Sequence, residues 1–452
     1  MSFSSFSNTI KSMYPDALKC SNRMKRYYFD NNSTTWVPDN ILRHYLEYVN
    51  CGNPSNIHHV SGRLSAKAIQ KSKDMIAADL SVAPLDIVFT ACATESNNAI
   101  IQGLVHAHAA VKKPLHILTS CIEHKCVLET VTKMVESDNC GILSYDTVPL
   151  GSDGTVTWNA IKSQLRPETG LVCVMYANNE TGIVQPVEEI GRKLRAMRPD
   201  IHFHVDAVAA IGKRIIKPRG FCHSMSFSGH KIHAVKGVGC LYIDQEASKK
   251  LMPLTFGGRQ QVVRSGTDNT AAIWCMANAL ALVHQKRREK NNRLWRMRGF
   301  ILNGLKRGGV QYKVFGSESS RKRQLENTLL IAIYHDTMCN LKLVKYLDSV
   351  GVSVSIGSSC NTKSAKASHV LNAMGATNAD RRGTIRITMS DYTTMDDCKY
   401  LVQHLVRGCA PSSTVGSTIS LGSRKNPSTL QTLKSSFRRN PSTSLSNWNG
   451  PA

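Results

Sequence analysis

Short apolar runs alternate with longer stretches of helical periodicity between about residues 85 and 245, which predicts strands of a mostly parallel sheet covered by helices. The runs are Ile87 to Thr90, Leu115 to Thr119, Leu171 to Tyr176, His202 to Val205, Met225 to Ser228 and Gly239 to Ile243. From about 285 to 409 the pattern changes to a basic helix, a strand at Thr328 to Tyr334, a helix from about Leu341 to Ser349, a strand at Thr384 to Met389, and a last helix. Thr394 opens that helix with Asp396 and Asp397 in its first turn, a sound N-terminal cap. The expected fold class is α/β, with a large domain over 27–284 and a smaller α+β C-terminal domain over 285–409. Residues 1–26 read as a basic extension. Beyond Cys409 the chain turns to Ser, Thr, Asn, Pro and Arg, so 410–452 is expected to be a disordered basic tail.

In open α/β sheets, ligands gather at the carboxyl ends of strands. Thr94, His124, Asn179, Asp206 and Lys231 all fall at or just beyond expected strand ends. Lys231 closes the run Ser-Phe-Ser-Gly-His-Lys that begins at Ser226. A lysine amine can condense with the aldehyde of pyridoxal phosphate (PLP), a carboxylate such as Asp206 can keep a pyridine nitrogen protonated, and hydroxyls with backbone N–H groups can receive a phosphate. Thr94 opens a stretch of capping residues after a strand, and the start of a helix attracts phosphate, although capping alone would account for that stretch. Arg386 lies in a β-type run, where a buried guanidinium needs an anion: a structural salt bridge or, through its planar fork, a substrate carboxylate.

Composition narrows the setting. The 452 residues are 42% hydrophobic, enough for large cores, and no apolar run reaches the roughly 18–20 residues of a membrane span. The N-terminus lacks an apolar signal core. The 14 cysteines show no CxxC pair, so neither a disulfide scaffold nor a metal site is expected, and a soluble protein of a reduced intracellular compartment fits, the cytoplasm among them. Cys92, Cys173, Cys240 and Cys275 read as core thiols; Cys360 stands apart, among small and hydroxyl residues in an expected loop. A formal net charge of +25 raises a polyanion as partner, but the cluster from Lys286 to Arg298 reads first as a solvated helix face, leaving nonspecific polyanion binding as a secondary property.

Motifs in one order carry a resemblance: YFDNNSTT from Tyr28, GNPSNIH from Gly52, FTACATESNN from Phe89, EHK from Glu123, YANNETGIVQP from Tyr176, HVDA from His204, SFSGHK, RSGTDN from Arg264, GSSC ending at Cys360, SHVLNAMG from Ser368 and IRITMS from Ile385. Over about 27–409 the chain resembles the NifS/IscS-like cysteine desulfurases, in the class V group of PLP-dependent transferases with the aminotransferase type I fold. The resemblance implies that Lys231 carries PLP, that Thr94, Ser228 and His230 hold its phosphate, and that Asp206 holds the ring nitrogen. It places Asn179 on the ring oxygen, stacks His124 on the ring as a proton relay, and makes Arg386 the clamp on the substrate carboxylate. By the same resemblance Thr267 reaches the phosphate of a neighbouring subunit, which implies a homodimer. Cys360 would take sulfur from L-cysteine as a persulfide, release L-alanine, and pass the sulfur to an acceptor protein. The chain departs from the family's pattern at Ala209, where a glutamine is usual, at the glycine run Phe256 to Gln260 with Val262, and at Ser390-Asp391 in place of Gly-Arg. Another class V reaction, such as selenocysteine lyase or aminotransferase chemistry, and a non-enzymatic member binding a polyanion or a partner protein stay open at this point.

Overall fold

The computed structural model describes residues 26–258, 261, 263–317, 320–356 and 368–409. Cys360, the tail 410–452 and all of the N-terminal extension but Arg26 lie outside the described residues. Twelve strands run in chain order: β1 (Tyr27–Tyr28), β2 (Ile87–Thr90), β3 (Leu115–Ser120), β4 (Leu143–Val148), β5 (Thr169–Cys173), β6 (His202–Asp206), β7 (Ser224–Ser228), β8 (Gly239–Ile243), β9 (Tyr312–Phe315), β10 (Thr328–Ile333), β11 (Val352–Ser353) and β12 (Thr384–Thr388).

Seven of them form one sheet in the order β2-β8-β7-β6-β5-β3-β4. All neighbours pair in parallel except β8, which is antiparallel to both β2 and β7. The carboxyl ends of β2, β3, β5, β6 and β7 therefore share one edge. Ile87, Phe89, Leu118, Val172, Phe203, Val205, Met225 and Phe227 are buried in the core of this sheet, as expected of strands covered on both faces. The strand expected at Leu171 to Tyr176 is found at Thr169–Cys173 instead. Tyr176 N still donates to Asp206 O at 2.8 Å, so the chain stays extended past the ladder before it turns at Asn178.

Gly239 opens β8 opposite both Thr90 of β2 and Ser228 of β7. A Cβ there would lie 2.7 Å from Cys92 Cα and from Thr90 Oγ1, closer than real contacts allow.

The second sheet, β12-β10-β9, is antiparallel, and β1 pairs with β11 in parallel. Its core joins Leu329, Ile331, Ile385 and Ile387 to Leu294, Ile301 and Leu305 of the helix Arg287–Arg307 and to Leu401 and Leu405 of the helix Met395–Gly408. Phe29 packs in this core, so the start of the described chain serves the second sheet and not the first. The last helix is capped as its sequence predicts: Asp397 N donates to Thr394 Oγ1 at 3.1 Å, and Thr394 N donates to Asp397 Oδ2 at 2.8 Å. Among the described residues no helix is long and apolar enough to cross a membrane, and no group of His, Cys, Asp or Glu is placed to hold a metal ion.

Candidate active site

A cavity of about 280 Å³ opens where the strand ends converge. Thr94, His124, Asn179, Asp206, Ser228, His230, Lys231 and Arg386 all line it, so eight residues from distant parts of the sequence meet in one place. Thr267 does not join them. It borders a separate recess with Tyr45, Tyr48, Cys51 to Pro54 and Asp268 to Ala271.

Lys231 ends the short turn Gly229–Lys231 that follows β7, and its Nζ donates to Asn32 O at 2.6 Å and Ser33 O at 2.7 Å. Asp206 is the last residue of β6. Its Oδ1 accepts from Val208 N at 2.9 Å and its Oδ2 from Asn97 Nδ2 at 2.9 Å, which holds the carboxylate in one orientation at the cavity wall.

Three other lining residues suit an anion. Thr94 lies in the first turn of the helix Ala93–Ala110, whose N-cap residue, Cys92, makes no side-chain capping bond. The first turn of that helix lines the cavity, and its N-cap side chain takes none of its N–H groups. Ser228 Oγ is buried and has no hydrogen-bond partner among the described residues. A buried hydroxyl left unpaired costs about 1–3 kcal/mol, so an acceptor at this spot is called for. His230 Nδ1 lies 3.2 Å from Thr34 Oγ1, and burial, aided by the charges of Lys231 and Lys236, pushes its pKa down to about 4. These residues fit a phosphate at Thr94, Ser228 and His230, a protonated ring nitrogen at Asp206 and an aldehyde at the Lys231 amine. PLP has those three features.

His124 is more than an ordinary polar residue. It is the N-cap of the helix Lys125–Glu136, and its Nδ1 accepts from Cys126 N at 3.2 Å with Cys126 Sγ 3.0 Å away. An acceptor Nδ1 puts the ring proton of the neutral form on Nε2. Asn179 O accepts from Asn32 Nδ2 at 2.9 Å and Arg386 Nη1 at 3.2 Å, while Asn178 Oδ1 takes the N–H groups of Glu180 and Thr181, both at 2.9 Å, and so sets the turn that presents Asn179. Arg386 meets both of its sequence readings: it lines the cavity, and its Nη2 pairs with Asp30 Oδ1 at 2.9 Å and Ser33 Oγ at 2.8 Å. Its Nε is buried with no hydrogen-bond partner among the described residues.

Several lining residues were not legible as such. Cys92, read as a core thiol, lines the cavity instead, because the chain turns there from β2 into a helix; Cys173, Cys240 and Cys275 are buried as expected. Cys126, His369 and Lys213 also line it. Lys213 Nζ donates to Ala209 O at 3.0 Å, and burial, offset in part by Asp391, lowers its pKa to about 8. Behind the wall, Glu123 Oε1 accepts from Ser120 Oγ at 2.5 Å and Met175 N at 2.6 Å, and burial pushes its pKa up to about 8.

The sequence profile of the class-V aminotransferases matches residues 27–401. The chain belongs to that family. It is 35% identical over 387 residues to a protein of Bacillus subtilis (strain 168) named putative cysteine desulfurase IscS 1, covering 84% of this chain and 98% of that protein. To cysteine desulfurase 2 of Trichormus variabilis it is 36% identical over 390 residues, 84% of this chain and 92% of the relative. Among solved structures, a NifS-like protein matches with a TM-score of 0.76 at 31% identity, covering 84% of this chain and 98% of that one. SspA in complex with cysteine matches with a TM-score of 0.67 at 30% identity, over 81% and 99%. This class-V aminotransferase member thus shares its fold with NifS-like proteins along nearly their whole length.

Proposed function

We propose that this chain is a cysteine desulfurase that holds PLP in the cavity, converts L-cysteine to L-alanine and retains the sulfur as a persulfide. The observation that carries the reading is the convergence of Lys231, Asp206 and the unpartnered Ser228 hydroxyl on one cavity. When bound, the cofactor supplies an aldehyde for an amine and an electron sink for the substrate's α-carbon. Lys231 would hold the cofactor through its Nζ, and the same nitrogen, when freed, would take the proton from the substrate α-carbon. Asp206, held by Asn97 and Val208 N, keeps a proton on the ring nitrogen. His124, with its proton on Nε2, would donate or relay a proton at the ring of a bound cofactor. Asn179 would donate to the ring oxygen. Arg386 orients the substrate carboxylate, with its buried Nε as the donor still to be matched.

The resemblance assigns the sulfur acceptor to Cys360, which lies outside the described residues. Its thiolate would attack the substrate sulfur, forming an S–S bond as the Cβ–S bond breaks, and the released carbon takes a proton to become alanine. Thr267, outside this cavity, would face the phosphate site of a second copy in a homodimer.

The test is an absorbance spectrum of the protein with PLP, followed by an assay of alanine and sulfide from L-cysteine. The expected result is a yellow, borohydride-trappable adduct on Lys231 that is lost in Lys231→Ala together with all turnover. Asp206→Ala should stay folded and lose most α-proton exchange. Cys360→Ser should bind PLP and cysteine but form no protein persulfide. Full alanine production by Cys360→Ser would instead favour a class V reaction that needs no second thiol.

A further inference from the structure

The buried polar residues behind Asp206 form a continuous hydrogen-bonded line. His202, His204 and Asp206 alternate on one face of β6, and Ser224 and Ser226 on the matching face of β7, with Asn97 crossing them from the helix Ala93–Ala110. All six are buried. Asn97 Nδ2 donates to Asp206 Oδ2 at 2.9 Å, and Asn97 Oδ1 lies 2.9 Å from His204 Nε2 and accepts from Ser226 Oγ. His204 Nδ1 is 2.7 Å from Ser224 Oγ, which is in turn 2.7 Å from His202 Nε2.

Counting protons along this line leaves one arrangement once the Asn97 amide is fixed. An ionised Asp206 accepts and never donates, so the Asn97 amide must turn its NH₂ toward it and its oxygen toward His204. His204 must then carry its proton on Nε2, its Nδ1 must accept from Ser224, and Ser224 must accept from His202. With the amide turned over, His204 would donate to Ser224 from Nδ1, and the amide oxygen of Asn97 would face the carboxylate, which repels it. Ser226 can serve either arrangement, since a hydroxyl both donates and accepts. His204 is the member whose tautomer decides. Burial keeps that ring neutral, with a pKa down to about 3, so it holds one proton and one lone pair rather than two donors.

We infer that His204, with Ser224 and His202 behind it, is a positioning residue that locks the Asn97 amide so that a donor always faces Asp206. The line holds the Asp206 carboxylate in one orientation at the cavity wall, where it would meet the ring nitrogen of a bound cofactor, from outside the cofactor and substrate sites. The inference rests on the proposed role of Asp206, and its test separates the two.

Ring ¹⁵N shifts of the histidines, measured on protein without added PLP, should show the His204 proton on Nε2; a proton on Nδ1 overturns the inference whatever the cofactor does. With PLP, His204→Phe should weaken cofactor binding about tenfold and slow α-proton exchange of L-cysteine, per bound cofactor, about tenfold, the scale typical of residues that orient a ligand from behind. His204→Gln, which keeps a donor toward Asn97 and an acceptor toward Ser224, should stay within about threefold of the parent in both. Equal losses in the two variants, or a lower thermal midpoint with unchanged exchange per bound cofactor, would reduce His204 to packing. Should His204→Phe fail to fold, Ser224→Ala serves in its place and should give a mixture of His204 tautomers with an intermediate loss. A parent protein that binds no PLP sinks the role of Asp206, while the ring shifts still decide the line.

Discussion

Arg386 Nη2 sits 2.9 Å from Asp30 Oδ1, so the guanidinium proposed to clamp a substrate carboxylate already shares its charge with a carboxylate of the protein. Arg386 is 1% exposed and Asp30 20%. Asp30→Asn keeps a hydrogen-bonding oxygen for Arg386 but removes the competing charge. The KM for L-cysteine should then fall about threefold, while stability drops by about 1–3 kcal/mol because a buried charge loses its partner. Steady-state kinetics and denaturant unfolding check the pair of effects. A KM that rises would remove Arg386 from the carboxylate site.

Ser228→Ala should move stability and cofactor affinity in opposite directions. Without cofactor, the variant loses a buried hydroxyl that has no partner among the described residues and should gain about 1 kcal/mol. With PLP, it lacks one donor to the phosphate and should bind about tenfold more weakly. Urea unfolding of the cofactor-free protein and a PLP titration give the two signs; a loss in both makes the hydroxyl structural.

Glu123 sets a stability difference that grows with pH. Its folded pKa is raised to about 8 by burial, from 4.5, so the folded state holds a proton that the unfolded state has released. The stability of the parent from this group is complete below the unfolded value and is lost as pH rises through about 8. Glu123→Gln mimics the protonated form. The two proteins should match below about pH 4, and above pH 8.5 the variant should be more stable by a few kcal/mol, about 1.4 kcal/mol for each pH step between the unfolded and folded values. Identical curves from pH 5 to 9 would place the Glu123 pKa in the ordinary range.

His124→Asn should divide a structural task from a chemical one. Asparagine caps helices as well as histidine does here, accepting from the backbone N–H of Cys126, so unfolding free energy should stay within about 0.5 kcal/mol. Turnover should drop by about 10²-fold or more with the loss of the ring. Equal losses of stability and turnover would leave His124 as a cap only.

The residues at strand ends were legible because buried parallel strands are short apolar runs and their carboxyl ends are where ligands bind; Thr94, His124, Asn179, Asp206 and Lys231 obey that rule, while the motifs singled out His124 and Asn179. Leu143–Val148 was not, because an edge strand with half-buried polar positions lacks the apolar signal. The alternation His202, His204, Asp206 beside Ser224, Ser226 was present in the sequence, but only the pairing of β6 with β7 shows that these residues face one another. Lys213 and Cys126 reach the cavity through tertiary folding that no local pattern encodes. The motifs brought in Ser228, His230 and Arg386, and the cavity gathers them with the rest, whereas Thr267 stands at a different recess.

Gly239 acts through the side chain it lacks. The turn of Cys92 to Thr94 and the turn of Ser228 to Lys231 leave β2 and β7 on either side of this one residue, which touches both through backbone alone. The spacing of the backbones of these two cavity-lining turns is therefore set by three hydrogen-bonded strands. Substitutions within the turns change what lines the space between them but leave that backbone spacing to the sheet.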